Sequence, residues 1–154
     1  MKSISLFTAL LTFPLLMACQ TSGSSGQAPA TARLDLAQVY GQEWQLQSLE
    51  RDGQMVELVD GSSVTLQINA DDKVAGRASV NRYFGTLTIG KSGELAWGDN
   101  FGTTMMAGPE PLMRQERDFL NALGQTQKLQ IQGDTLWLKR NDDTLVMQFA
   151  SHAD

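Results

Sequence analysis

The chain has 154 residues, with 12 Lys or Arg against 17 Asp or Glu, a formal net charge of −5 at pH 7, one cysteine and one histidine. An acidic domain disfavours nucleic acid and electrostatic attachment to anionic lipid heads. A single thiol excludes an intramolecular disulfide and a cysteine-based metal site.

Lys2 is a minimal positive n-region, and Ile4 to Leu16 is an apolar run broken by Ser5, Thr8, Thr12 and Pro14. Leu16-Met17-Ala18-Cys19 closes it, with a small residue just before the cut. The pattern predicts a lipoprotein signal peptide over residues 1–18. The run is too short and too interrupted for a transmembrane helix, which needs about 20 residues. The Leu-x-Ala-Cys ending resembles the bacterial lipobox, in which the thiol is acylated and becomes the mature N-terminus. Cys19 is therefore the expected lipidation site, and two acyl chains hold a bilayer stably where one does not. Gln20, not Asp, follows the cysteine, which in a Gram-negative cell implies sorting to the outer membrane. The expected address is the bacterial envelope, anchored in the outer membrane and facing the periplasm. Loss of Lys2 with the leader takes the formal charge from −5 to −6.

Residues 19–33 are expected to form a lipidated flexible tether. Gln20 to Ala32 holds only Ser, Thr, Gly, Gln, Ala and Pro, so it has nothing to build a core from. Such a chain reaches about 20 Å on average.

The globular domain is expected over residues 34–150, with a tail at 151–154. Its pattern is mostly short strands with turn punctuation. Trp44, Leu46 and Leu49 mark a first strand, with a turn at Asp52-Gly53. Val64, Leu66 and Ile68 alternate with polar residues, and Asp71-Asp72-Lys73 is the next turn. Val74 to Arg77 leads to Asn81-Arg82-Tyr83-Phe84, then Leu87 and Ile89. Ser92-Gly93 turns into Leu95 and Trp97, and an irregular loop runs from Gly98 to Pro109. Pro111 suits the first turn of a helix at about 110–124. Leu112, Glu116, Phe119, Leu120 and Leu123 fall on its inner stripe, and Gly124 is its stop. Leu129 to Phe149 reads as a meander of three strands turning at Gly133-Asp134 and Asn141-Asp142-Asp143. The fold class is α+β, mostly antiparallel β: an open, barrel-like curved sheet with one packed helix.

Catalytic chemistry finds little purchase. His152 lies three residues from the C-terminus, and no G-x-S-x-G element, phosphate loop or dinucleotide fingerprint occurs. Most carboxylates sit in turns, where Asp forms local hydrogen bonds. Glu116 is the unusual one, because it lies in the helix's apolar stripe. It is expected to pair with Arg114, Arg117 or Arg82, as charges near a core normally do. Met105, Met106, Met113 and Met147 read as gap-filling core methionines. The domain is read as non-enzymatic, with no cofactor and no metal.

The order of these pieces resembles the META domain family, which includes the HslJ group of heat-shock-inducible bacterial envelope lipoproteins. Trp44-x-Leu46 is similar to the family's opening strand. Gly76-Arg77-Ala78-Ser79-Val80-Asn81-Arg82-Tyr83-Phe84-Gly85 resembles its Gly-x-x-x-Cys-Asn-Arg-Phe/Tyr-x-Gly segment. Thr103-Thr104-Met105-Met106-Ala107 resembles its Thr-Arg-Met-Met/Ala-Cys segment, just before the helix. Where the family usually has cysteine, this chain has Val80 and Ala107, both read as buried. The resemblance implies an open barrel with a helix packed on it, a link to heat shock and novobiocin resistance, and no agreed enzymatic activity. Asn81, Arg82 and Tyr83, with Phe101 in the following loop, form the candidate binding patch for a protein or envelope partner. The alternatives are a lipid-anchored inhibitor of a hydrolase such as lysozyme, and a small hydrophobic-ligand carrier.

Overall fold

The computed structural model describes residues 34–151. The expected signal peptide, Cys19, the tether up to Arg33 and His152 lie outside the described residues. A short 3-10 turn at Leu36–Gln38 precedes β1 (Glu43–Arg51), β2 (Gln54–Val56), β3 (Thr65–Ile68), β4 (Lys73–Arg77), β5 (Arg82–Ile89), β6 (Leu95–Trp97) and β7 (Gly102–Thr103). The helix α1 (Glu110–Leu123) follows, then β8 (Lys128–Gln132), β9 (Thr135–Lys139) and β10 (Leu145–Ser151).

Odd spacing in β1 has a structural cause. Trp44, Leu46 and Leu49 are all buried, although strict alternation would turn Leu49 outward. A bulge between Leu46 and Ser48, opposite β10, shifts the register and returns Leu49 to the core. The last strand uses the same device. Val146 and Met147 are adjacent and both buried, across an irregularity between Leu145 and Met147.

The strands are ordered β6-β5-β4-β3-β1-β10-β9-β8, with β2 on β1 and β7 on β5. Every strand pairing is antiparallel. The two ends of this order meet. Leu95 N–H donates to the Gln127 carbonyl at 2.8 Å, and Leu129 N–H donates to the Gly93 carbonyl at 2.7 Å. The sheet is thus a nearly closed barrel, which leaves little unpaired edge. Gly93 makes the seam possible. Its φ is +95°, and a Cβ there would lie 2.2 Å from the Leu129 carbonyl oxygen.

The interior is filled by side chains, among them Leu66, Ile68, Leu87, Leu136, Leu138 and Phe149, all almost wholly buried. Each contributes on the order of 1.5–3 kcal/mol by leaving water. The helix packs on β1 and β10 and adds Phe119, Ala122 and Leu123 to this core. Pro111 stands in its first turn, as its locked φ allows. Gly124 caps the other end with φ −65°, so its role needs no left-handed backbone. The expected meander is present as β8, β9 and β10, with the last strand running one residue past the expected boundary, through Ser151. Two strands escape the sequence pattern, because β2 has only three residues and β7 two.

Candidate functional site

The motif segment forms the tip of the β4–β5 hairpin. Ala78 N–H donates to the Asn81 carbonyl at 2.8 Å, leaving Ser79 and Val80 as a two-residue turn. Ser79 has φ +105°, where hairpins usually place glycine. A side chain held there costs on the order of 1–3 kcal/mol and persists only where its surroundings enforce it.

The helix supplies that enforcement. Gln115 Nε2 donates to Ser79 Oγ at 2.8 Å. Glu116 Oε2 accepts the backbone N–H groups of Val80 (3.1 Å) and Asn81 (2.7 Å), and its Oε1 accepts Asn81 Nδ2 at 2.7 Å. Gln115 also reaches the segment before β3. Its Oε1 accepts Val59 N–H at 2.6 Å, and its Nε2 donates to Ser62 Oγ at 2.8 Å. Glu116 is buried, yet its partners are N–H donors and not the arginine expected from sequence. Arg114 instead bonds Glu110, four residues earlier, at 2.7 Å. The reason is geometric. The hairpin turn presents two unpaired N–H groups directly to α1, and a buried carboxylate oxygen satisfies both.

Asn81 is the centre of the latch. Its Oδ1 accepts Thr104 Oγ1 at 2.8 Å and Met106 N–H at 2.7 Å. Its Nδ2 donates to Glu116 and, at 3.2 Å, to the Met106 carbonyl. Two acceptor and two donor positions are all used, the full capacity of an amide side chain. One residue thus joins the hairpin, the helix and the loop after β7.

Tyr83 carries the same logic to the barrel wall. It is buried, and its hydroxyl donates to the Thr65 carbonyl at 2.8 Å. A Cβ on Gly76 would lie 2.0 Å from that carbonyl oxygen and 2.7 Å from the tyrosine oxygen, so only glycine leaves room for the bond. The Tyr83 ring lies 5.6 Å from Phe119 and stacks on Phe101 at 5.8 Å, and Phe101 meets Trp97 edge-on at 6.5 Å. Burial pushes the Tyr83 phenol well above its ordinary value. Below about pH 10 the phenol is protonated in both folded and unfolded chains. Above that, the unfolded chain loses the proton first, so stability falls as pH rises. Alkaline titration should show Tyr83 phenolate absorbance only with unfolding, and Tyr83→Phe should flatten the loss of stability. Phenolate appearing in the folded chain would contradict this.

The four candidate patch residues do not form one surface. Asn81 and Tyr83 face inward, whereas Arg82 is exposed and Phe101 is 43% exposed. Gln115, Ser79 and Thr104 belong to the latch; Ser79 and Thr104 stand inside the family-like segments without being singled out, and Gln115 carried no sequence signal. Glu116 did, as a carboxylate in an apolar stripe. Met147 is core as expected, but Met105 and Met106 are not: they are 97% and 54% exposed. The loop that bears them is held by its backbone and Thr104, so their side chains have no packing role to fill.

A family model of the META domain matches residues 35–153. This chain belongs to the META domain family. An NMR structure of a protein from Burkholderia xenovorans shares the fold with a TM-score of 0.60, at 22% identity over 77% of this chain and 86% of that one. A second NMR structure matches with a TM-score of 0.55, at 17% identity over 76% of this chain and 95% of that one. Comparison with curated proteins gives no match. Within this META domain the expected burial of Val80 and Ala107 needs correction. Val80 is half-buried and Ala107 exposed. Val80 nevertheless packs against Gly108, where an added Cβ would lie 2.6 Å from a Val80 methyl. The two positions are therefore brought near each other at the surface, between the hairpin tip and the loop entering α1.

Proposed function

We propose that this chain is a non-enzymatic, lipid-anchored envelope protein whose META domain presents an exterior surface to a protein or envelope partner, in stress or antibiotic tolerance. The observation that carries this reading is where the motif's polar groups are spent. Asn81 and Glu116 are saturated with bonds that hold the hairpin, helix and loop together. Groups so engaged are poor candidates for proton transfer or nucleophilic attack. What the same segments turn outward is Arg82, Phe101, Met105 and Met106. Exposed aromatic, arginine and methionine side chains are typical of recognition surfaces. The filled interior argues against the hydrophobic-ligand carrier.

The reading is tested in cells. Palmitate labelling should vanish in Cys19→Ser. The Arg82→Ala, Phe101→Ala double variant should fold normally but lower survival under heat or novobiocin. Wild-type survival of that folded double variant would remove Arg82 and Phe101 from the partner surface.

A further inference from the structure

The outer face of the barrel carries a second feature, in which Arg82 of the proposed partner surface is joined by Arg77. Arg77 and Arg82 are direct cross-strand partners on β4 and β5, and both are exposed. Like charges directly opposite one another are destabilising. The described residues contain a second such pair, Lys128 opposite Lys139, which is relieved by an ion pair from Lys128 to Asp143 at 2.9 Å. Arg51, Lys73, Arg114 and Arg140 also have acidic partners. Neither Arg77 nor Arg82 has one among the described residues. Lys91, Arg117 and Lys139 also lack an ion-pair partner, but Arg77 and Arg82 are the one directly opposed like-charge pair among the described residues in which neither member has one.

The pair borders a groove of about 480 Å³, within the size range of small-molecule sites, about 300–1,000 Å³. Ala75 and Gly76 line it. Phe84, 56% exposed, lines it as well. Glu43 lies in the same groove but pairs with neither arginine. Phe101 does not line this groove, whereas Arg82 is shared between the groove and the partner surface.

We propose that this groove binds a phosphate monoester bearing an apolar or ring substituent. A carboxylate offers one negative charge, which one arginine fork satisfies. A phosphate monoester carries about −1.5 to −2 at pH 7, matching two adjacent guanidinium groups that have no ion-pair partner among the described residues. The substituent lies along Phe84, and Glu43 sets one side of the groove against a second anionic group.

Phenyl phosphate is the probe for a soluble ester, titrated into the labelled full chain and followed by amide NMR. Saturable shifts are expected at Ala75 to Arg77 and Arg82 to Phe84, weakening with salt. R77Q/R82Q should weaken binding by at least about tenfold while keeping the amide spectrum folded. The single variants R77Q and F84A provide the same comparison at smaller cost to the surface. Benzoate should bind at least about tenfold more weakly, since it offers one charge. Equal binding of benzoate would overturn the phosphate assignment. A lipid headgroup is tested with phosphatidic acid vesicles against phosphatidylcholine vesicles. The R77Q/R82Q chain is the reference, so that any anchor contributes equally. Arginine-dependent vesicle binding without phenyl phosphate binding assigns the site to lipid phosphate, and the reverse assigns it to a soluble ester. Binding of neither, or binding unchanged by R77Q/R82Q, overturns the proposal. Arg82 is shared with the partner surface above, but Arg77 and Phe84 are not, so R77Q and F84A let the two readings fail separately.

Discussion

Glu116→Ala should destabilise the domain by about 3–5 kcal/mol, read by urea unfolding at neutral pH. The magnitude follows from what is left behind. Val80 N–H, Asn81 N–H and one Asn81 amide hydrogen all lose their acceptor. The first two sit in a turn already bent into a left-handed backbone at Ser79. Removing the carboxylate therefore releases strain as well as bonds, and the hairpin tip should open first. Glu116→Gln separates charge from shape. Its single oxygen can take the two backbone N–H groups, but its NH₂ then faces the NH₂ of Asn81. Turning the Asn81 amide to relieve this would break its bonds to Thr104 and Met106. The Gln variant should thus fall between wild type and Ala. A loss under about 1 kcal/mol in the Ala variant would mean that the latch contributes little.

Gly76→Ala is the second large effect, about 2–4 kcal/mol. The new methyl would lie 2.0 Å from the Thr65 carbonyl oxygen and 2.8 Å from its carbon. These are backbone atoms, so β3 and β4 must move apart. That movement takes Thr65 away from the Tyr83 hydroxyl and from Arg77 N–H, which bonds Thr65 Oγ1 at 3.2 Å. Combining the change with Tyr83→Phe removes one obstacle, the hydroxyl, but leaves the carbonyl. The double variant should remain as unstable as Gly76→Ala alone, or more so. Recovery of stability in the double variant would place the clash at the tyrosine and not at the strand.

The architecture was largely legible in the sequence, and the site was not. Alternation in Leu66–Ile68 and Leu136–Leu138 and the apolar stripe of α1 report burial, which depends on local periodicity. Bulges leave a trace too, in the three-residue step from Leu46 to Leu49. The partners of a buried polar group leave none. Glu116 looked like half of an ion pair, because nothing local reveals two free N–H groups some 35 residues away in sequence. Asn81 and Tyr83 looked like surface chemistry beside Arg82. Alternation along β5 accounts for Tyr83 facing inward between two outward neighbours, and the turn geometry accounts for Asn81. Met105 and Met106 failed in the opposite sense. Apolar composition suggested core, but an irregular loop has no period from which to read a face.

The position of β1 has a consequence for how the chain acquires its shape. β1 lies between β3 and β10, with Trp44 opposite Leu66 on one side and Ser151 on the other. The first long strand of the described chain therefore waits for the last. Until residues 145–151 are available, one side of β1 has no hydrogen-bonding neighbour and the sheet has no route to closure. Folding of this kind is dominated by non-local pairing and is intrinsically slow. Chains shortened at the C-terminus should collapse without sealing, and a holding chaperone would recognise them by the bare flank of β1.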